Sequence, residues 1–142
     1  MDRPTLSAVL ALLCGLSAAA LTACSSGGGS EPFRPVEVAP DQAALYIYRA
    51  DRSFDGPPVR VRVDQEDVGQ LRAGEHLALV VEPGERLISA EGRGSAARAV
   101  RVLDGKAAFI EIVASGFEDF VAIDLPTPEQ AQRVIARTDR AE

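Results

Sequence analysis

The chain has 142 residues, 46% of them hydrophobic, and its 15 Lys plus Arg against 21 Asp plus Glu leave a formal net charge of −6. That length fits one ordinary domain, and the apolar fraction fits a packed chain rather than a disordered one. The acidity removes the electrostatic route to a phosphate backbone, so no nucleic-acid partner is expected. One histidine and two cysteines leave little material for a metal centre or a nucleophile, and no cofactor is expected.

From Leu6 to Leu21 the chain reads LSAVLALLCGLSAAAL, sixteen residues without a charge. A helix that spans a bilayer needs about 20 apolar residues, so this shorter run suits the apolar region of a signal peptide. Asp2 offsets Arg3 ahead of it. The next residues, Leu21-Thr22-Ala23-Cys24, resemble the lipobox of bacterial lipoproteins. The resemblance implies that the Cys24 thiolate accepts a diacylglyceryl group, that residues 1–23 are removed, and that the freed amine takes a further acyl chain. Ordinary secretory cleavage is the alternative, because Ala18-Ala19-Ala20 also offers an A-x-A pattern and would leave a soluble periplasmic protein. With Cys14 inside the apolar run and Cys24 acylated, the folded part has no cysteine for a disulfide and depends on its core. Two or three acyl chains give stable residence in a bilayer, at roughly 0.8 kcal/mol per buried CH₂. Ser25 and Ser26 stand where an Asp marks inner-membrane retention in enteric lipoproteins, which favours the periplasmic face of the outer membrane.

Residues 24–41 read as a lipidated flexible linker, Gly/Ser-rich first and Pro-punctuated later. A free coil of this kind lets the module float near the membrane. In the alternative, Phe33, Val36 and Val38 dock on the domain as an edge segment.

Residues 42–140 read as the folded domain. Ala44–Arg49 is β-branched and aromatic, with apolar residues on both faces as in a central strand. Val59–Asp64 alternates valine with charge, and DQED turns the chain into a short strand at Val68–Leu71. His76–Val81 places Leu77, Leu79 and Val81 on one face, and Pro83-Gly84 suits a type II turn into RLISAE. AARAVRVL and AAFIEIV flank Asp104-Gly105, a strong hairpin signal, and Phe117–Leu125 supplies a last strand. Thr127, Pro128 and Gln130 form a helix start, with Ala131, Val134, Ile135 and Thr138 at helical spacing. One short helix is expected over about 128–139, with Arg133, Arg137 and Arg140 facing water. The fold expected is mainly β: a single antiparallel β-sandwich, immunoglobulin-like or transthyretin-like, of seven or eight strands with one short C-terminal helix.

The run Ala44-Leu45-Tyr46-Ile47-Tyr48-Arg49 after a lipobox and a linker is similar to the opening of an uncharacterised bacterial lipoprotein family known only as a domain of unknown function. Val61–Asp64 through Val68-Gly69-Gln70-Leu71 resembles that family's V-D-G-x-x-V-G-x-L hairpin. Val80–Glu85 followed by Leu87, Ser89 and Ala90 resembles its P-G-x-h-x-h-x-A turn, also met in PEGA-type surface domains. The likeness spans roughly 43–135, with Ala50 where the family usually has Pro and a short loop over Asp51–Pro57. It implies a fold and is silent on activity.

Chemistry-bearing constellations are sparse. His76 is the only imidazole, and Ser53, Ser89, Ser95 and Ser115 are the serines a triad would use, none of them in a G-x-S-x-G elbow. Asp64, Glu66, Gly69 and Glu75 fall at positions 1, 3, 6 and 12 of an EF-hand-like loop, yet position 5 is Val68 and strands flank it, so a solvated hairpin turn accounts for them better. Tyr46 and Tyr48 form either an aromatic recognition surface or a cover over the core edge. Arg60, Arg62, Arg98 and Arg101 form either a basic stripe or a mixed solvated face, and eight arginines against nine carboxylates over 51–101 favour the latter. No catalytic or metal-ligating set emerges.

The function expected is therefore a membrane-anchored envelope lipoprotein without enzymatic activity. Its β-module binds another envelope protein or cell-wall glycan through loops such as Asp51–Pro57, Gly92–Ser95 and Ser115–Asp119. A structural subunit of a trans-envelope machine is the second expectation. An envelope hydrolase using Glu118 and Asp119 is a third, disfavoured because adjacent strand positions point to opposite faces.

Overall fold

The computed structural model describes residues 32–50, 56–115 and 118–141. The lipobox residues Leu21, Thr22, Ala23 and Cys24 lie outside the described residues, as do Ser53, Phe117 and most of the loop that begins at Asp51. The chain is mainly β, with nine strands among the described residues and one short helix.

The strands are β1 (Ala43–Arg49), β2 (Val59–Val63), β3 (Glu66–Leu71), β4 (Glu75–Val81), β5 (Gly84–Glu91), β6 (Ser95–Val102), β7 (Ala107–Ala114), β8 (Val121–Asp124) and β9 (Asp139–Arg140), with α1 (Pro128–Ile135) between the last two. They form two sheets, ordered β8-β7-β1-β4-β9 and β3-β2-β5-β6. Alternation decides which side chains meet between them. Leu45 and Ile47 from β1, Leu77 from β4, and Ile110 and Ile112 from β7 pack with Val59, Val61, Ile88, Ala90 and Val100 of the other sheet in one buried cluster. Each fully buried Leu or Ile contributes roughly 1.5–3 kcal/mol, and this cluster holds the described domain together without any disulfide.

All seven residues of β1 are buried because both of its faces are covered. Leu45 and Ile47 face the second sheet, while Ala44, Tyr46 and Tyr48 enter a second cluster with Phe109, Ala131 and Ile135. That second cluster sits beneath α1 and the segment that precedes β1, with Phe33, Val36 and Val38 packed against it.

The architecture departs from expectation in four places. First, the five-stranded sheet is mixed, whereas the four-stranded one is antiparallel throughout: β1 pairs antiparallel with β4 but parallel with β7, and β9 is parallel to β4. Second, Asp104-Gly105 does not join a hairpin. Gly105 takes the left-handed φ of 62° that such a turn needs, and Lys106 N–H closes it on the Leu103 carbonyl at 3.1 Å. The chain nevertheless crosses between layers there, because β6 pairs with β5 in one sheet while β1 and β8 occupy both edges of β7 in the other. Gly105 N–H binds the Gln42 carbonyl at 2.8 Å, tying this crossover to the start of β1.

Third, the last long strand is shorter than Phe117–Leu125. Glu118 and Asp119 lie in a bend ahead of β8, so their opposite facing on one strand does not apply. Fourth, the helix starts as expected, with a capping box between Thr127 and Gln130 and Pro128 in its first turn, but it ends at Ile135 rather than near 139. The edge of β4 captures the chain beyond it: Asp139 N–H binds the Gly74 carbonyl at 2.9 Å and Ala141 N–H binds the His76 carbonyl at 2.8 Å. Arg140 therefore lies in β9, exposed, rather than on a helix face.

Candidate functional site

A concavity runs along the outer face of the first sheet, between the segment 32–38 and the end of α1. Its deeper part, about 200 Å³, is floored by Val36, Tyr46, Ala78 and Ile135 and edged by His76, Thr138, Arg34 and Arg140. A shallower cleft of about 640 Å³ lies on the other side of Pro32 and Phe33, against Gln132, Arg133 and Arg137 of α1. Phe33 is the partition between them.

The aromatic side chains at the centre are placed by the parallel register. Tyr46 of β1 lies opposite Phe109 of β7, and their rings stack at 5.3 Å with 13° between planes. Phe33 meets both edge-on, 5.1 Å from Tyr46 and 5.9 Å from Phe109. Such pairs contribute roughly 0.5–1.5 kcal/mol beyond their area. The Tyr46 hydroxyl accepts from Val36 N–H, and the Tyr48 hydroxyl donates to Glu111 Oε2 at 3.3 Å. Both tyrosines are buried, so they cover the core and present no exposed aromatic surface. The segment with Phe33, Val36 and Val38 lies over the sheet face, not along its edge.

His76 sits where β4 receives β9. Its Nδ1 stands 2.8 Å from Thr138 Oγ1, which donates its own proton to the Ile135 carbonyl at 2.8 Å. Thr138 therefore accepts here, and His76 Nδ1 carries the hydrogen. Burial pushes the imidazole pKa below its ordinary value, the Arg140 charge adds to this, and the carbonyls of Asp139 and Thr138 together with the Asp139 charge oppose it. Among the described residues, no serine and no carboxylate lines the deeper cleft. Ser89 and Ser95 belong to the other sheet, and Ser115 accepts from Glu118 N–H beyond β7. The structure assembles no Ser–His pair among these residues.

Of the EF-hand-like positions, Asp64, Glu66 and Gly69 lie in the β2–β3 hairpin and Glu75 opens β4 in the other sheet. Asp64 and Gln65 form the hairpin's two-residue loop with φ of 50° and 74°, both left-handed as a type I′ turn requires. Asp64 accepts from Arg86 at 2.8 Å and from Leu87 N–H at 2.9 Å, which holds its carboxyl below the usual range, and Glu75 accepts from Arg72 N–H at 2.8 Å. Among the described residues no group of three or more His, Cys, Asp or Glu is placed to hold a metal ion. Nor is any described helix long and apolar enough to cross a membrane.

The arginines on the second sheet form a mixed face. Arg60 pairs with Asp67 at 3.5 Å, Arg62 with Glu91 at 2.7 Å, and Arg98 donates to the Ile123 carbonyl at 3.0 Å.

Compared with protein-family models and with curated proteins, the chain matches none.

Two features escape a reading of the sequence. Arg49 is buried at the end of β1, donating to the Pro57 carbonyl at 2.9 Å and reaching the Leu71 carbonyl at 3.5 Å. Its signal was parity, because Arg49 shares a strand face with Leu45 and Ile47. The cleft itself combines residues 32–38, 76–78 and 135–140, and no local pattern brings those three stretches together.

Proposed function

We propose that the chain is a bacterial envelope lipoprotein. Residues 1–23 are a signal peptide, Cys24 becomes the acylated N-terminus on the periplasmic face of the outer membrane, and the β-domain is a non-enzymatic binding module. The observation that carries this is Leu21-Thr22-Ala23-Cys24 after sixteen uncharged residues, with no cysteine from 25 to 142. The deeper cleft beside Phe33 supports a binding role, since it offers an apolar floor, guanidinium groups and an imidazole. The partner class remains another envelope protein or cell-wall glycan, and the kinship proposed is with the uncharacterised lipoprotein family and its PEGA-like domain. Mass spectrometry of the chain matured in a bacterial host tests the anchor. The expected product begins at Cys24 and carries a diacylglyceryl thioether; retention of residues 1–23, or cleavage after Ala20 without fatty acid, would overturn it.

A structural role in a trans-envelope machine is the second reading, and one observation favours it. The two sheets share a core as a sandwich would, and β1 is central, between β4 and β7. An immunoglobulin order would pair β1 with β2 at a sheet edge, so the order supports the transthyretin-like alternative. Cross-linking in intact cells separates the readings: a repeating homo-oligomeric ladder indicates a scaffold, whereas a monomer joined to one protein or to glycan indicates a binding module. The hydrolase reading is weakened, because exposed Asp119 lies 3.8 Å from Arg93 and Glu118 stands in an open bend.

A further inference from the structure

We infer that the end of the domain where the tether emerges docks on anionic phospholipid head groups of the bilayer that holds Cys24, an inference that rests on the anchored reading above. The described chain begins at Pro32, which borders both clefts. Arg34 and Arg140 edge one of them and Arg133 and Arg137 the other, all four exposed. Arg133, Arg137 and Arg140 form no ion pair within the described residues. Glu129 lines the same cleft as Arg133, Asp139 adjoins Arg140 and Glu37 adjoins Val36, so four arginines face three carboxylates and the patch keeps an excess of one positive charge in a chain whose formal charge is −6.

The opposite end of the strands is acidic. The strand pairing places Ala43, Val63, Val81, Gly84, Val102 and Ala107 together at that end. Its turns carry Asp41, Asp64, Glu82 and Asp104, with Arg86 and Lys106 as the neighbouring cations. His76, Thr138 and Arg140, which share a cleft with Pro32, stand toward the other end. The four arginines thus gather beside Pro32, away from the turns that carry Asp41, Asp64, Glu82 and Asp104.

Eight residue steps separate Cys24 from Pro32. Their covalent length limits that span to about 28 Å at most. At physiological salt the Debye length is about 8 Å, so a tether this short brings the arginines repeatedly within range of the head groups. Four or more cations beside a membrane attachment are what anionic head groups select, and an acyl anchor plus a basic patch acts as two cooperating signals.

The test uses the mature, acylated chain in vesicles at 0.15 M salt. Its one cysteine is consumed by the thioether, so Gln132→Cys, in the basic cleft, and Ala99→Cys, on exposed β6, each accept a single fluorophore. A head-group nitroxide lipid reports proximity in vesicles of 70% phosphatidylcholine and 30% phosphatidylglycerol, and in phosphatidylcholine alone. On the anionic vesicles the label at 132 should be quenched at least threefold more than that at 99. Arg133→Glu with Arg137→Glu, the milder Arg133→Gln with Arg137→Gln, or 0.5 M salt should each collapse that difference. Equal quenching at the two positions, or a difference that survives neutral lipid or the milder double variant, overturns the inference. The intact mass of the same preparation separates the failures. An acylated Cys24 with equal quenching leaves the anchor standing and removes only the docking, whereas an unacylated Cys24 removes both.

Discussion

His76 and Thr138, sixty-two residues apart, are joined by a 2.8 Å hydrogen bond that closes the C-terminal strand β9 onto the edge of β4. Burial depresses the imidazole pKa below 6.5, so the folded chain binds this proton less readily than the unfolded chain. The stabilisation is therefore complete above pH 6.5 and is lost as pH falls through the depressed folded value. Urea unfolding at pH 7.5 and at decreasing pH below 6.5 should show a falling midpoint. His76→Gln should remove that part of the slope.

Phe33 ties the segment before β1 to the domain through two edge-on ring contacts. Phe33→Ala should lower stability by about 1–2 kcal/mol, less than a fully buried Phe because the ring is half-exposed. It should also raise amide exchange over 32–38 while β1 stays protected. Exchange that rises equally across β1 would show the segment to be integral to the sheet rather than laid upon it.

Gly94 lies so close to the bend before β8 that a Cβ there would meet the Asp119 carbonyl oxygen at 2.6 Å. The obstacle is backbone, so it cannot rotate away. Gly94→Ala should cost about 1–3 kcal/mol by denaturant titration. Gly84→Ala, where a Cβ meets nothing within 4 Å, isolates the contribution of its positive φ.

Gln65 occupies the second left-handed position of the β2–β3 turn without being glycine. A left-handed conformation costs an ordinary residue roughly 1–2 kcal/mol, which Gly avoids while losing somewhat more chain entropy on folding. Gln65→Gly should raise stability by about 0.5–1 kcal/mol and leave the Asp64–Arg86 pair in place. An unchanged or lowered thermal midpoint would contradict this.

Strand positions were legible because alternation is local. Val59, Val61 and Val63 between arginines could only be a half-buried strand, and the uninterrupted apolar run at Ala44–Tyr48 required cover on both faces. The helix start was equally plain, since Thr127, Pro128 and Gln130 act through bonds within one turn. The stop was not: the stripe continued to Thr138, and only the free edge of β4 diverted the chain into β9. Asp104-Gly105 misled for a related reason. A turn dipeptide specifies a reversal of direction but not whether the returning strand stays in its sheet. The exposed arginines Arg133, Arg137 and Arg140 were expected, but not their convergence with Arg34 around Pro32.

The sequence by itself determined the inward faces of the longer strands, the N-terminus of the helix and the motif at Cys24, all governed by neighbours a few residues apart. Only the tertiary structure decided that β1 lies parallel to β7, that Tyr46 stacks on Phe109 beneath Phe33, and that His76 meets Thr138. Those contacts join residues far apart in the chain. Burial of apolar surface drives them without regard to order along the chain, so no local pattern names the partner.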